Sequence, residues 1–271
     1  MKTTIKTLLA TLGLASTLIL SGCGEKEPAA TDANSITVGV MAGEEAQVAE
    51  HAVKEAKKLG LDVELVTFTD YVSPNAALDD GSVDVNAFQH QPYLDAQIKD
   101  RGYEFAIAGN TFVYPIAAYS YKLDSVADLP EDGQIAVPNN PASLGRSLLL
   151  LEQQGVIKLK EGAGINATKL DIVENPKNVD IIELEGPQLP RSLEDVDIAI
   201  INNTFAAGIG LIPSKDGLFV EDKDSPYVNL IVARKDNVDA ENVKTFVKAY
   251  QTDAVYNAAM EIFDGAVVKG W

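Results

Sequence analysis

The residue types able to do chemistry gather in one stretch, Asp84-Val85-Asn86-Ala87-Phe88-Gln89-His90-Gln91-Pro92-Tyr93. Aromatic rings and a histidine stand there among side-chain amides. Val83 and Val85 read as the end of a short strand, and Pro92 as the first turn of a helix running to Gly102. The rings are therefore expected on a strand-to-helix turn, where α/β domains place ligand contacts. An apolar, aromatic-lined pocket with one titratable ring suits a small ligand with an apolar tail. The plainer alternative makes Phe88 and Tyr93 core, with His90 bonded to a neighbouring carbonyl.

Arg146 is the second candidate. It falls in the opening turns of a helix with Asn140 as N-cap and Pro141 as first residue. Unpaired N–H groups and the dipole favour an anion there, and a guanidinium could grip a carboxylate in bidentate fashion. In so acidic a chain it could equally be a surface arginine paired with an acid. Asn202 and Asn203 follow a buried apolar run at the strand end where open α/β sheets bind ligands. Asn229 interrupts Tyr227-Val228-Asn229-Leu230-Ile231-Val232, and a buried amide there must bond either local backbone or a ligand.

These side chains need a frame. Residues 36–40, a helical pattern from 44 to Gly60 and the alternating run 62–68 make a βαβ unit, hence a parallel sheet. A turn at 70–74 leads to a short helix ending near Gly81. Strands follow at 103–108 and 112–120, the second interrupted by Pro115, which suggests an edge or a passage between lobes. The pattern restarts at 124 with a short helix, a strand at 135–137 and the Arg146 helix. Strands at 180–184 and 197–201, a helix near 190–193, a strand at 227–234 and helices at 240–250 and 252–263 complete the chain. Two successive α/β sets, with late strands free to return to the first, predict two lobes and a ligand cleft that closes by hinge motion.

Composition removes several classes. A net charge of -18 argues against nucleic acid as partner. One cysteine excludes an intramolecular disulfide and a four-cysteine zinc site, and two histidines argue against a histidine-rich metal site. Gly162-Ala163-Gly164-Ile165-Asn166-Ala167 loosely fits a dinucleotide fingerprint but follows no strand. Glu221-Asp222-Lys223-Asp224 lacks EF-hand spacing and reads as a solvated acidic turn. No metal or cofactor is expected.

The cysteine lies at position 23. Lys2 and Lys6 precede an apolar run from 8 to 20 that is short for a membrane span, and the run ends in Leu20-Ser21-Gly22-Cys23. This resembles the lipobox of bacterial lipoproteins, which implies a signal peptide over 1–22, lipidation of Cys23 and a flexible tether over 23–35. In a plain secretory signal Cys23 would be incidental.

Further runs carry a wider resemblance. They are Asp70-Tyr71-Val72, the Asn86 to Leu94 stretch, Asn110-Thr111-Phe112-Val113-Tyr114-Pro115 and Leu144-Gly145-Arg146-Ser147-Leu148. Asp62-Val63-Glu64-Leu65-Val66, the continuation of the Leu144 run to Leu151, Glu185-Gly186-Pro187-Gln188-Leu189-Pro190-Arg191-Ser192, Ser225-Pro226-Tyr227-Val228-Asn229 and Val267-Val268-Lys269-Gly270-Trp271 complete the set. Together they resemble the NlpA lipoprotein family, the methionine-binding lipoproteins of bacterial ABC importers, from residue 36 to 271. The resemblance implies a type II periplasmic-binding-protein-like α/β fold with ligand between lobes. Residues 36–120 and 227–271 would form one lobe and 121–226 the other. It implies L-methionine or a close analogue as ligand, held by Tyr71, Phe88, His90, Tyr93, Arg146, Asn202 and Asn229. It also implies an ABC permease with its ATPase subunits as partners, and a lipid-anchored place in the cell envelope facing periplasm or exterior. A thioether is apolar and polarizable, which suits aromatic rings. Two other readings compete: a receptor for another small amino acid or short peptide, and a surface-anchored enzyme using His90 with a carboxylate. Against the enzyme stands the lack of a nucleophile-plus-base motif.

Overall fold

Alternation of Ile36, Val38 and Val40 with smaller residues makes β1 (Ser35–Met41) the spine of the first sheet. The computed structural model describes residues 33–222 and 225–271; the signal peptide, Cys23 and most of the tether lie outside them. After β1 come α1 (Glu44–Lys58), β2 (Asp62–Phe68), α2 (Ser73–Asp79), β3 (Val85–His90), α3 (Gln91–Arg101) and β4 (Phe105–Val113). The middle of the chain holds β5 (Ala117–Tyr119), β6 (Gln134–Pro138), α4 (Pro141–Gln153), β7 (Lys158–Leu159), β8 (Ile172–Glu174), β9 (Asp180–Leu184), α5 (Leu189–Ser192) and β10 (Ile198–Ile201). Then follow α6 (Asn203–Ala207), α7 (Pro213–Asp216), β11 (Phe219–Val220), β12 (Val228–Arg234), α8 (Glu241–Tyr250), α9 (Asp253–Ile262) and β13 (Val268–Lys269).

Two sheets of mixed direction result. The first has the order β13-β4-β12-β3-β1-β2, with β2, β1 and β3 parallel and β12, β4 and β13 joining antiparallel. The second has the order β11-β5-β10-β6-β9, with β10, β6 and β9 parallel. Each sheet is covered on both faces. Val48, Ala52, Phe246, Val255 and Phe112 pack on one side of the first, and Leu78, Leu94 and Phe105 on the other. Leu148 and Leu151 cover one face of the second, and Leu189, Leu193 and Ala206 the other. This is the two-lobed α/β architecture that the successive α/β sets predict.

Three local expectations change. The stretch read as a turn from Asn86 to Gln91 is strand as far as His90, because β12 pairs with it out to Asn229 opposite His90. The helix then starts at once at Gln91. Residues 109–111, expected to separate two strands, stay within β4, whose pairing with β12 absorbs them through two register shifts. Finally, β5 falls within residues 36–120, expected in the first lobe, but it pairs with β10 and β11 of the second sheet. Pro115 breaks the extended run, so the chain leaves the first sheet after Val113 and enters the second at Ala117.

Candidate functional site

Each half of the site is placed by a local device. On the first lobe, the His90 ring is the N-cap of α3: its Nδ1 accepts from the Tyr93 backbone N–H at 3.3 Å. The proton of the neutral ring therefore sits on Nε2, which is left as a donor. Burial, reinforced by the nearby Arg146 charge, pushes the His90 pKa down to about 3. Phe88, Tyr93 and Met41 form a small buried cluster with Tyr71 and Phe205 against it. Ring centroids of Tyr71 and Phe88 are 5.9 Å apart, those of Phe88 and Tyr93 6.0 Å. The Tyr93 hydroxyl donates to the Tyr71 carbonyl at 2.6 Å. Behind this wall three buried amides satisfy one another. Gln89 Nε2 donates to Asn75 Oδ1 at 2.7 Å, and Asn75 Nδ2 donates to Gln89 Oε1 at 2.9 Å. Asn86 Nδ2 also reaches Asn75 Oδ1, at 2.9 Å.

On the second lobe, Asn140 caps α4 as its sequence predicts, accepting from Ser143 N at 2.9 Å. Arg146 one turn later is buried, not on the surface. Its Nε donates to Glu221 Oε1 at 2.8 Å, its Nη2 to Glu221 Oε2, and Nη2 again to the Tyr114 carbonyl at 3.1 Å. The guanidinium lies over the Tyr227 ring, 4.3 Å from its centroid. None of these bonds uses Nη1, whose N–H groups remain to meet an anion. Gly145 makes this placement possible: a Cβ there would collide with the Ile165 carbonyl, which packs against α4.

The two halves meet around one small space of about 30 Å³. Tyr71, Phe88, His90, Tyr93, Arg146, Asn202 and Asn229 all line it. Phe88 and Tyr93 are both buried and both line the space. Asn229 likewise does both, since its Nδ2 donates to the Phe88 carbonyl at 2.8 Å while the residue lines the space.

Sequence reasoning did not name Gln89, Tyr114, Ser143 or Thr204 as site residues, and it left Asn203 unchosen beside Asn202; all five line the cavity. Asn202 Oδ1 and both polar atoms of the Asn203 amide are buried without partners, an arrangement that costs desolvation. Thr204 links the lobes: it accepts from the Tyr71 hydroxyl at 3.1 Å and donates to Glu45. Glu221, assigned to a solvated turn, is the partner of Arg146 with its side chain only 12% exposed. Among the described residues no cluster of His, Cys, Asp and Glu could hold a metal ion. Nor is any helix among them long and apolar enough to cross a membrane.

The model of the NlpA lipoprotein family matches residues 36–271, from the first strand to the last residue. The chain belongs to the NlpA lipoprotein family. Within it, the D-methionine-binding lipoprotein MetQ of Salmonella typhimurium is 63% identical over 269 residues, 98% of each chain. A crystal structure of the methionine binding protein MetQ is 64% identical, with a TM-score of 0.87 over 89% of this chain and 99% of that one. A nutrient binding protein from Burkholderia cenocepacia, solved bound to methionine, is 50% identical. It has a TM-score of 0.85 over 87% of this chain and all of its own. As an NlpA lipoprotein, the chain carries the two-lobed fold of these binding proteins.

Proposed function

We propose that this NlpA lipoprotein is the substrate-binding protein of a methionine ABC importer, a receptor and not an enzyme. The thioether chain would lie against Tyr71, Phe88, Tyr93 and His90, with the α-carboxylate on Nη1 of Arg146. Asn202 and Asn229 would hold the ammonium, with Asn203 as a further acceptor. The observation that carries this reading is the meeting, in one small cavity, of an aromatic wall with buried amide atoms that lack partners. A zwitterion with an apolar tail supplies both complements. His90 speaks against catalysis: burial holds it neutral far below the working pH of a general base. Its relatives' names as methionine binders point the same way.

Anchoring through Cys23 would keep the two lobes at the membrane of the cell envelope, within reach of an ABC permease and its ATPase subunits. We assign residues 36–113 and 228–271 to one lobe and 117–220 to the other, with the site between them.

Mass spectrometry of small molecules released on gentle denaturation should find methionine in stoichiometric amount, and calorimetry should show that it rebinds. Recovery of a different amino acid or a peptide, with no response to methionine, would overturn the reading. For the anchor, Cys23→Ala should move the protein from the membrane to the soluble fraction; unchanged partition would refute lipidation there.

A further inference from the structure

Glu45 is a buried carboxyl that the binding scheme above leaves unused. It sits in the first turn of α1 and is 3% exposed. The Thr204 hydroxyl, from α6 on the opposite lobe, donates to Glu45 Oε1, and Thr204 Oγ1 accepts from the Tyr71 hydroxyl at 3.1 Å. Each hydroxyl donates once, in the sense Tyr71 to Thr204 to Glu45, so the chain of bonds crosses from one lobe to the other and back. Its outer member, Tyr71, also presents its ring to the ligand cavity and packs on Phe88 and on Phe205, the latter at 5.0 Å. Among the described residues no cation pairs with the carboxyl. The titratable groups around it are Glu44 of its own turn and the phenols of Tyr71, Tyr114 and Tyr250 from three other segments.

We propose that Glu45 is a positioning residue that ties ligand capture to lobe closure, through a Tyr71–Thr204–Glu45 relay that forms only when the lobes meet. The proposal rests on the methionine reading above. Opening the cleft would part Thr204 from its two partners and return the carboxyl to water. Closing it would bury the carboxyl, seat Tyr71 on the ligand's tail and lock the ring by its hydroxyl.

Closure therefore has a proton signature. Burial, with the Glu44 charge adding to it against the opposing Thr204 bond, raises the Glu45 pKa to about 7 in this closed arrangement. A carboxyl whose pKa is higher closed than open takes up a proton on closing, and the advantage is lost as pH rises through the closed-state value. His90 acts with the opposite sign: it is buried and neutral here, so below about 6.5 it would shed a proton on closing. At pH 7 the open-state His90 would still be about a quarter protonated, so its release offsets about half of the Glu45 uptake.

The test is calorimetric titration with L-methionine at pH 7 and 8.5, in two buffers of different ionisation enthalpy, together with stopped-flow release. Wild type should take up about a quarter of a proton per methionine at pH 7 and almost none at 8.5, with affinity about 1.5-fold weaker at the higher pH. Glu45→Gln should abolish the uptake. Thr204→Val should weaken binding by roughly five- to twentyfold, mainly through faster release, and Thr204→Ser should restore it. Because Thr204 also lines the cavity, a double variant separates the relay from direct contact. Thr204→Val with Glu45→Leu should be no weaker than Thr204→Val alone if the groups act as one unit. Glu50→Gln, on the exposed face of α1, is the control. Proton uptake that persists in Glu45→Gln, or additive losses in the double variant, would overturn the relay. Wild type that fails to bind methionine would overturn the functional reading and the relay with it. Methionine binding with no proton uptake and a silent Thr204→Val would overturn the relay alone.

Discussion

The two walls of the cavity differ in how complete they are. The first-lobe wall is closed on itself: its rings pack edge to tilted face, His90 caps the helix that follows it, and Asn75, Asn86 and Gln89 satisfy one another behind it. The second-lobe wall is unfinished. Asn202 Oδ1 and the whole Asn203 amide are buried without partners, and the bonds of Arg146 to Glu221 and Tyr114 leave its Nη1 unused. The apolar half of a ligand thus meets a preformed surface, whereas its polar half supplies bonds that the protein lacks. Shape is set by one lobe and chemical identity by the other.

The largest effect should come from breaking the unfinished wall at its charge. Arg146→Ala should cost about 2–5 kcal/mol of methionine binding by calorimetry, part of it because Glu221 is left buried without its partner. Adding Glu221→Ala should recover thermal stability without recovering affinity, which separates the guanidinium's grip on ligand from its pairing. Near-native affinity in Arg146→Ala would show that the carboxylate lies elsewhere.

A smaller effect carries a diagnostic sign. Asn203→Ala removes buried polar atoms that have no partners, so the ligand-free protein should gain stability while methionine affinity falls by about 1–3 kcal/mol. Melting temperatures with and without methionine would read both. A loss of stability without ligand would mean that the amide is satisfied inside the protein, and the contrast between the walls would fail.

The smallest effect sharpens the aromatic side. Norleucine replaces sulfur by a methylene, and sulfur–aromatic contacts are worth about 0.3–1.5 kcal/mol, so it should bind weaker than methionine by no more than that. Methionine sulfoxide should lose more, because its oxygen would be buried beside rings, with His90 Nε2–H as the donor within its reach. Equal competition by sulfoxide in wild type and in His90→Phe would place the ligand's tail in water.

The same contrast explains what could be read from the chain alone. The aromatic wall is local: Phe88, His90 and Tyr93 lie within six residues on β3 and α3, so their joint role is visible in the string. The Asn140 cap and Pro141 likewise announce α4 and, with it, Arg146. The second wall depends on distant segments. Glu221 stands at the head of an acidic run that looks solvated, and only the fold brings it to Arg146, 75 residues away in sequence. Glu45 reads as an acid favouring a helix start, and it is one. Its burial arises from α6 docking on α1, and nothing in the local sequence reports that. Short strands such as β7, β8 and β13 escape for a related reason: two or three residues carry no period, and pairing alone defines them.

The Arg146–Glu221 pair has a consequence for kinetics. A guanidinium paired with a carboxylate, beside a neutral imidazole, leaves these groups with no net charge together. Around it the chain bears a net charge of -18, a potential that would repel a free anion. A zwitterion carries no net charge, so that potential neither attracts nor repels it as a whole, and the rate at which it arrives should barely change with ionic strength. An acid lacking the ammonium group would be slowed in dilute salt and released from that penalty as salt is added. The ion pair hidden behind the cavity thus lets a strongly acidic protein collect a neutral solute by diffusion alone.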